Sequence, residues 1–131
     1  MSVYFAKSGD YIKIGYSANP AQRAQSITRL ATRPAAIKYK DPVELIGWVP
    51  GNMWREGVYH AQHIDRRVAG EWFSLDVDYV RELIWQDPRG IDLLRMSAWA
   101  VFACIENPDL TRDEIAASGV PVLATTLGGA A

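Results

Sequence analysis

The chain has one cysteine, Cys104, among its 131 residues. An internal disulfide and a zinc site built on thiolates are therefore excluded, and a reducing, cytoplasmic setting is expected. There are two histidines, His60 and His63, with no His-Glu-x-x-His pattern and no clear third ligand, which argues against zinc. No apolar run is long enough to span a bilayer. Lys7, Asp10 and Lys13 interrupt the N-terminal apolar residues, so no signal peptide and no membrane partner is expected. No glycine-rich nucleotide loop, serine nucleophile elbow or internal repeat occurs. The length fits one domain with a modest core.

Charge is nearly balanced at −1, but it is unevenly spread. Residues 1–70 carry ten Lys/Arg against five acids, a net of +5, and residues 71–131 carry four against ten, a net of −6. A basic half favours a polyanionic partner for whatever site it holds.

That half opens with two runs rich in β-branched and aromatic residues, Val3-Tyr4-Phe5 and Tyr11-Ile12-Lys13-Ile14-Gly15-Tyr16. They flank the polar segment Lys7-Ser8-Gly9-Asp10, which predicts a β-hairpin. Asn19 is a good N-cap and Pro20 suits the first helical position, so a helix is predicted from Pro20 to Leu30 or Ala31. Arg23 would lie on its first turn, bringing a tyrosine, a lysine and an arginine towards one place that could hold a phosphate. Arg29 would lie off the apolar stripe of that helix. Arg33 comes at its end, and Lys38 and Lys40 belong to a basic loop over residues 34–42.

A third strand is predicted at Val43–Val49, and a second helix at Met53–Val68 with Val58, Ala61, Ile64 and Val68 as its buried stripe. Gly70 would close that helix. A short strand or extended segment at Glu71–Leu75, a helix at Val77–Trp85 and a turn at Asp87–Gly90 follow. A long helix is expected over Ile91–Asn107. Its stretch Met96–Ile105 carries no charge, and must be buried against the core or against another chain. Thr111 and Glu114 offer a capping box, and residues 120–131 read as a loose tail.

Four stretches taken in order carry a family likeness. They are Ser2-Val3-Tyr4 with Lys13-Ile14-Gly15, Asn19 to Arg23, Glu56 to His60, and Gly70-Glu71-Trp72-Phe73. Over about residues 2–85 the chain resembles the GIY-YIG nuclease superfamily. It is most similar to the branch whose second triplet reads Lys-Ile-Gly, the phage-T5-type and meiotically-up-regulated-gene type domains. The resemblance implies a phage or mobile-element context and a divalent-metal-dependent endonuclease that hydrolyses DNA. In it, Glu56 is the metal ligand, Arg23 the catalytic arginine, and Tyr4 a hydroxyl near the attacking water.

Chemistry gives these types a reason. Mg²⁺ or Mn²⁺ binds through few carboxylates and several waters, which Glu56 can serve. Arg23 offers a planar fork to a phosphate oxygen. Lys13 departs from the commoner family tyrosine. With a pKa of about 10.4 a lysine is charged at neutral pH and is a poor base, so it is expected to contact phosphate. Tyr11 shares the strand parity of Lys13 and can supply a phenol. Tyr16 stands where other branches carry lysine. His60 could carry a proton or bind phosphate. Tyr11, Tyr16, Arg29, Arg33, Lys38 and Lys40 are the expected nucleic-acid contacts.

The expected fold is α/β in the α+β sense: a small antiparallel three-stranded sheet flanked by helices, with an added C-terminal helix. Residues 1–87 would form the nuclease-like domain, 88–108 a helical extension packed on it, and 109–131 a short helix and tail. The rival readings are a catalytically weak nucleic-acid-binding module of the same fold, and an assembly protein that forms a homodimer through Met96–Ile105.

Overall fold

The computed structural model describes residues 1–20, 22 and 43–124. The predicted hairpin is its centre. Strands β1 (Ser2–Ser8) and β2 (Tyr11–Ser17) pair antiparallel along their whole length, with Gly9 at φ 59° in the turn. Strand β3 (Glu44–Pro50) pairs with the other edge of β1, with a register shift between Phe5 and Ala6. Every backbone edge of β1 is thereby satisfied within the sheet.

The sheet does not stop at three strands. It has six, in the order β4-β5-β2-β1-β3-β6, and every pairing is antiparallel. The added strands are β4 (Arg67–Ala69), β5 (Trp72–Phe73) and β6 (Ile91–Asp92). Strand β5 lies within the short strand or extended segment expected at Glu71–Leu75, whereas β4 and β6 are too short to show a strand period and read as the ends of helices. The helix expected over Met53–Val68 ends as α1 (Met53–Gln62). A 3₁₀ turn at Ile64–Arg66 follows, and then β4. Gly70, at φ 56°, makes the β4–β5 turn instead of closing a helix.

Beyond α2 (Val77–Trp85), the helix expected over Ile91–Asn107 begins as β6. It becomes α3 (Ala98–Glu106) only after Ser97 caps it. Gly47 makes β6 possible, because a Cβ there would overlap the Ile91 carbonyl oxygen. The chain ends among the described residues with α4 (Arg112–Ala117), where the capping box of Thr111 and Glu114 forms as expected.

Both faces of the sheet are buried. On one, Val3, Phe5, Ile12, Ile14, Ile46 and Val49 pack with Tyr59 of α1 and Val80 and Ile84 of α2. On the other, Tyr4, Ala6 and Trp72 pack with Tyr11, Val43, Leu45 and Trp48. A third cluster, of Ile91, Met96, Ala100, Cys104 and Ile115, lies under α3 and α4. The expectation that Met96–Ile105 is buried holds for one face of α3: Trp99, Phe102 and Ile105 are 74%, 60% and 54% exposed. Residues 120–124 return to this cluster. Val122 O accepts from Ser97 N at 2.7 Å, and Ala124 N donates to Arg95 O at 2.9 Å. Among the described residues no helix is long and apolar enough to cross a membrane.

Arg112 locks the C-terminal part. It is buried, its guanidinium lies 3.7 Å from the Trp85 ring centroid, and it donates to the carbonyls of Asp87, Gly90 and Trp85 at 2.6–2.7 Å. One planar fork joins the last carbonyl of α2 to two carbonyls of the turn that follows, and ties α4 to them. Arg112→Ala should therefore cost on the order of 3 kcal/mol, since it leaves three carbonyls without their charged donor. Arg112→Lys should rescue little, because an ammonium cannot span the three acceptors. Urea denaturation midpoints check both; parent-like stability of Arg112→Ala would refute the lock.

Candidate active site

Three of the residues named from sequence, Lys13, Glu56 and His60, meet where β2 outruns β5. Strand β5 pairs with β2 only at Ile12 and Lys13. Past that point Ile14 N–H donates to the Glu71 carbonyl at 3.0 Å, and His60 Nε2 lies 2.8 Å from the Ile14 carbonyl oxygen. Helix α1 thus takes over the edge that the sheet leaves open. A carbonyl only accepts, so Nε2 carries the ring proton and Nδ1 is the basic nitrogen of neutral His60. The ring meets Phe73 edge-on at 4.9 Å. This bond fixes how α1 sits on β2, and with it where Glu56 sits.

Glu56 lies one turn before His60, with Oε1 3.6 Å from His60 Nε2. Its Oε2 is buried and has no hydrogen-bond partner. Burial holds this carboxyl above the usual carboxylate range, and the charge of Glu71 adds to the effect; His60 and Lys13 pull the other way. An unpartnered carboxylate oxygen facing inward is costly, and proteins keep such groups where a ligand repays the cost.

Lys13 is buried in β2, with its Nζ 3.2 Å from Glu71 Oε2 and 5.8 Å from the Trp72 ring centroid. Tyr4 is 1% exposed and stands opposite Gly15, while Ala6 stands opposite Lys13. Directly paired residues share a face, so Tyr4 and Lys13 are neighbours on the Trp72 side. Gly15 is required there: a Cβ on it would lie 2.5 Å from the Tyr4 hydroxyl oxygen. The glycine of the second triplet is thus a seat for the tyrosine of the first.

Tyr11 is half-buried against the Tyr4–Trp72 cluster, as its parity predicts, and Tyr16 is exposed on the opposite parity. Asn19 Oδ1 accepts from Gln22 N at 3.2 Å, as the predicted cap requires, and Pro20 and Gln22 are helical; the rest of the helix predicted to Leu30 or Ala31 lies outside the described residues. Arg23, Arg29, Arg33, Lys38 and Lys40 lie outside the described residues.

The buried stripe expected for α1 is overturned. Val58 and Ile64 are exposed, and Arg55, Glu56, Tyr59, His60 and His63 turn inward. Arg55, His60 and His63 find partners far along the chain or on the backbone, while Glu56 Oε1 faces His60 one turn on. Arg55 donates to Pro50 O and Asp87, and His63 bonds Tyr59 O and Tyr79. Glu71 was missed as a site residue. Its motif Gly70-Glu71-Trp72-Phe73 was legible, but the contact with Lys13 depends on the β2–β5 pairing. Among the described residues no group of three or more His, Cys, Asp or Glu is arranged to hold a metal. The donor that fits one is the single inward oxygen of Glu56, which suits a hard cation carrying much of its own water.

The raised Glu56 titration has a consequence for stability. A group whose folded pKa lies above its unfolded value of about 4.3 binds its proton more tightly when folded, so stability is lost as pH rises through that window. Glu56→Gln should therefore melt a few degrees above the parent at pH 7.5, and the gap should close as both are acidified towards pH 4. Calorimetry across that range is the check. A gap independent of pH would show that the charge is not its cause.

No curated protein and no solved structure matches the chain. A family model described as the T5orf172 domain matches residues 1–86, up to the residue after α2. A phage-type domain family is compatible with a nucleic-acid-related function. With about two thirds of its length matched, the chain belongs to the T5orf172 domain family.

Proposed function

We propose that the chain is a divalent-metal-dependent endonuclease of the GIY-YIG type that hydrolyses DNA phosphodiester bonds. The observation that carries this reading is the inward Glu56 carboxylate with one unpartnered oxygen, beside Lys13 and on a helix anchored by His60. Glu56 would hold Mg²⁺ or Mn²⁺, which when bound supplies positive charge at the phosphate and acidifies water. Charge arithmetic favours a cation. The described cluster has one ammonium, Lys13, and two carboxylates, Glu56 and Glu71, so alone it repels a phosphodiester.

The chain's own groups take separate roles. Lys13 holds a non-bridging phosphate oxygen as a point charge, and Arg23 holds another through two N–H groups. The Tyr4 hydroxyl orients the water. His60 is a positioning residue that keeps α1 on β2, with Nδ1 as its available base. Tyr16 on the surface of β2, together with Tyr11, Arg29, Arg33, Lys38 and Lys40, supplies contacts to the flanking DNA.

Plasmid nicking and single-turnover cleavage test this with metal held constant. Glu56→Gln should abolish cleavage and leave DNA affinity near parental. Arg23→Ala should lower the rate by about 10²–10³-fold with a smaller effect on affinity, as expected of a group that stabilises developing charge. Unchanged nicking by Glu56→Gln would remove Glu56 from the site.

The outer face of α3 supports a second, compatible reading: self-association. Trp99, Phe102 and Ile105 form an exposed stripe on a helix with no charge before Glu106. Two copies related by a two-fold axis can bury this stripe against itself without opposing like charges. Sedimentation equilibrium should show a concentration-dependent dimer that Phe102→Glu abolishes. A parent chain monomeric at all concentrations would reject it.

A further inference from the structure

We propose that Glu71 is a built-in counter-ion which a DNA phosphate must displace from Lys13. This regulates access to the site proposed above and rests on that reading. The ion pair is asymmetric. The Lys13 side chain is 11% exposed and that of Glu71 is 40% exposed, so the carboxylate is the half that can leave for water. The Glu71 backbone cannot follow, because its carbonyl accepts the Ile14 N–H in the edge pairing. Departure is thus a side-chain rotation, with no change in the sheet.

Leaving Lys13 unpaired in its buried position would be costly, so the free protein needs an anion there. A phosphodiester can replace Glu71 without passing through a bare buried ammonium. Glu56 sharpens the exchange. It is a second carboxylate in the field of the same lysine, so Glu71 is held by one cation while facing a like charge. Its hold on Lys13 is correspondingly weak against an anion that arrives with its own cation. Glu71 therefore lowers affinity for nucleic acid while holding the Lys13 side chain in place.

The test is binding of a fluorescein-labelled DNA duplex by the full chain in EDTA, by anisotropy over a range of KCl. Glu71→Gln should bind at least about threefold tighter than parent at low salt. The slope of log K against log salt should steepen by about one, as one more phosphate is neutralised. Glu71→Asp, which can re-form the pair, should stay near parent. Lys13→Met should bind more weakly, and adding Glu71→Gln to it should tighten binding by much less than it does in the parent. Removing any surface acid favours DNA slightly, and that double variant separates the general effect from the exchange.

Glu71→Gln that binds no tighter with an unchanged slope overturns the proposal, and so does equal tightening in the Lys13→Met background. If Glu71→Gln does not fold, Glu71→Ala carries the same expectations. Nicking is read separately in Mg²⁺. Loss of nicking by the parent with the binding cycle intact would defeat the nuclease reading and leave the exchange standing. Absence of binding by both parent and Glu71→Gln would defeat the exchange.

Discussion

Two-sided burial of strand β1 is the constraint on which the rest of the structure depends. Val3, Tyr4, Phe5 and Ala6 are all at most 1% exposed, and β1 has a strand on each edge. A strand buried on both faces needs cover on both, which α1 and α2 supply on one side. It also dictates what can stand opposite. The Tyr4 ring has room only because Gly15 has no side chain, so the two triplets are a packing unit before they are a chemical one. The same register puts Lys13 two residues from Gly15 on the Tyr4 face. Site geometry here is inherited from strand register, which cannot slip without sending every one of these side chains to the other face.

Local signals in the sequence were read well. Asn19 and Thr111 cap as side-chain chemistry suggests, and the hairpin forms between the two β-rich runs, whereas Ser97 caps a helix that was expected to begin at Ile91. What failed was what depends on partners distant in sequence. Strands β4 and β6 exist because neighbours recruit them, and they carry no period of their own. Gly47 was the one mark of β6 in the chain, a glycine in mid-strand where another backbone comes close.

Helix α1 is the instructive case. Its apolar residues fit a buried stripe at Val58, Ala61 and Ile64, yet these face out and the polar residues face in. Periodicity assumes that burial follows hydrophobicity. Here the inward groups are satisfied by Asp87, Tyr79 and the carbonyls of Ile14 and Pro50, none of which a single helix reveals. Burying such groups is tolerable only when they are bonded, and the exception is Glu56 Oε2. Motif spacing pointed to Glu56 and His60 where periodicity pointed away from them. A mismatch between the two is expected where sequence is shaped by a site as well as by packing.

Electrostatics then locates where attraction for a polyanion must come from. The described cluster of Lys13, Glu56 and Glu71 is net negative, and its lysine is already engaged. The basic excess of residues 1–70 is not spread evenly: residues 21–42 alone hold five Lys/Arg against one acid. If the chain binds DNA as proposed, Arg23, Arg29, Arg33, Lys38 and Lys40 would be the main source of long-range pull, and the residues on β2 and α1 would act at contact. Such a division has a physical advantage. Charges acting at a distance are screened over about 10 Å at 0.1 M salt, whereas the contact of the buried Lys13 with the half-exposed Glu71 is screened less. Salt would then weaken capture far more than it alters the exchange at Lys13, so the two stages of binding are separable by ionic strength.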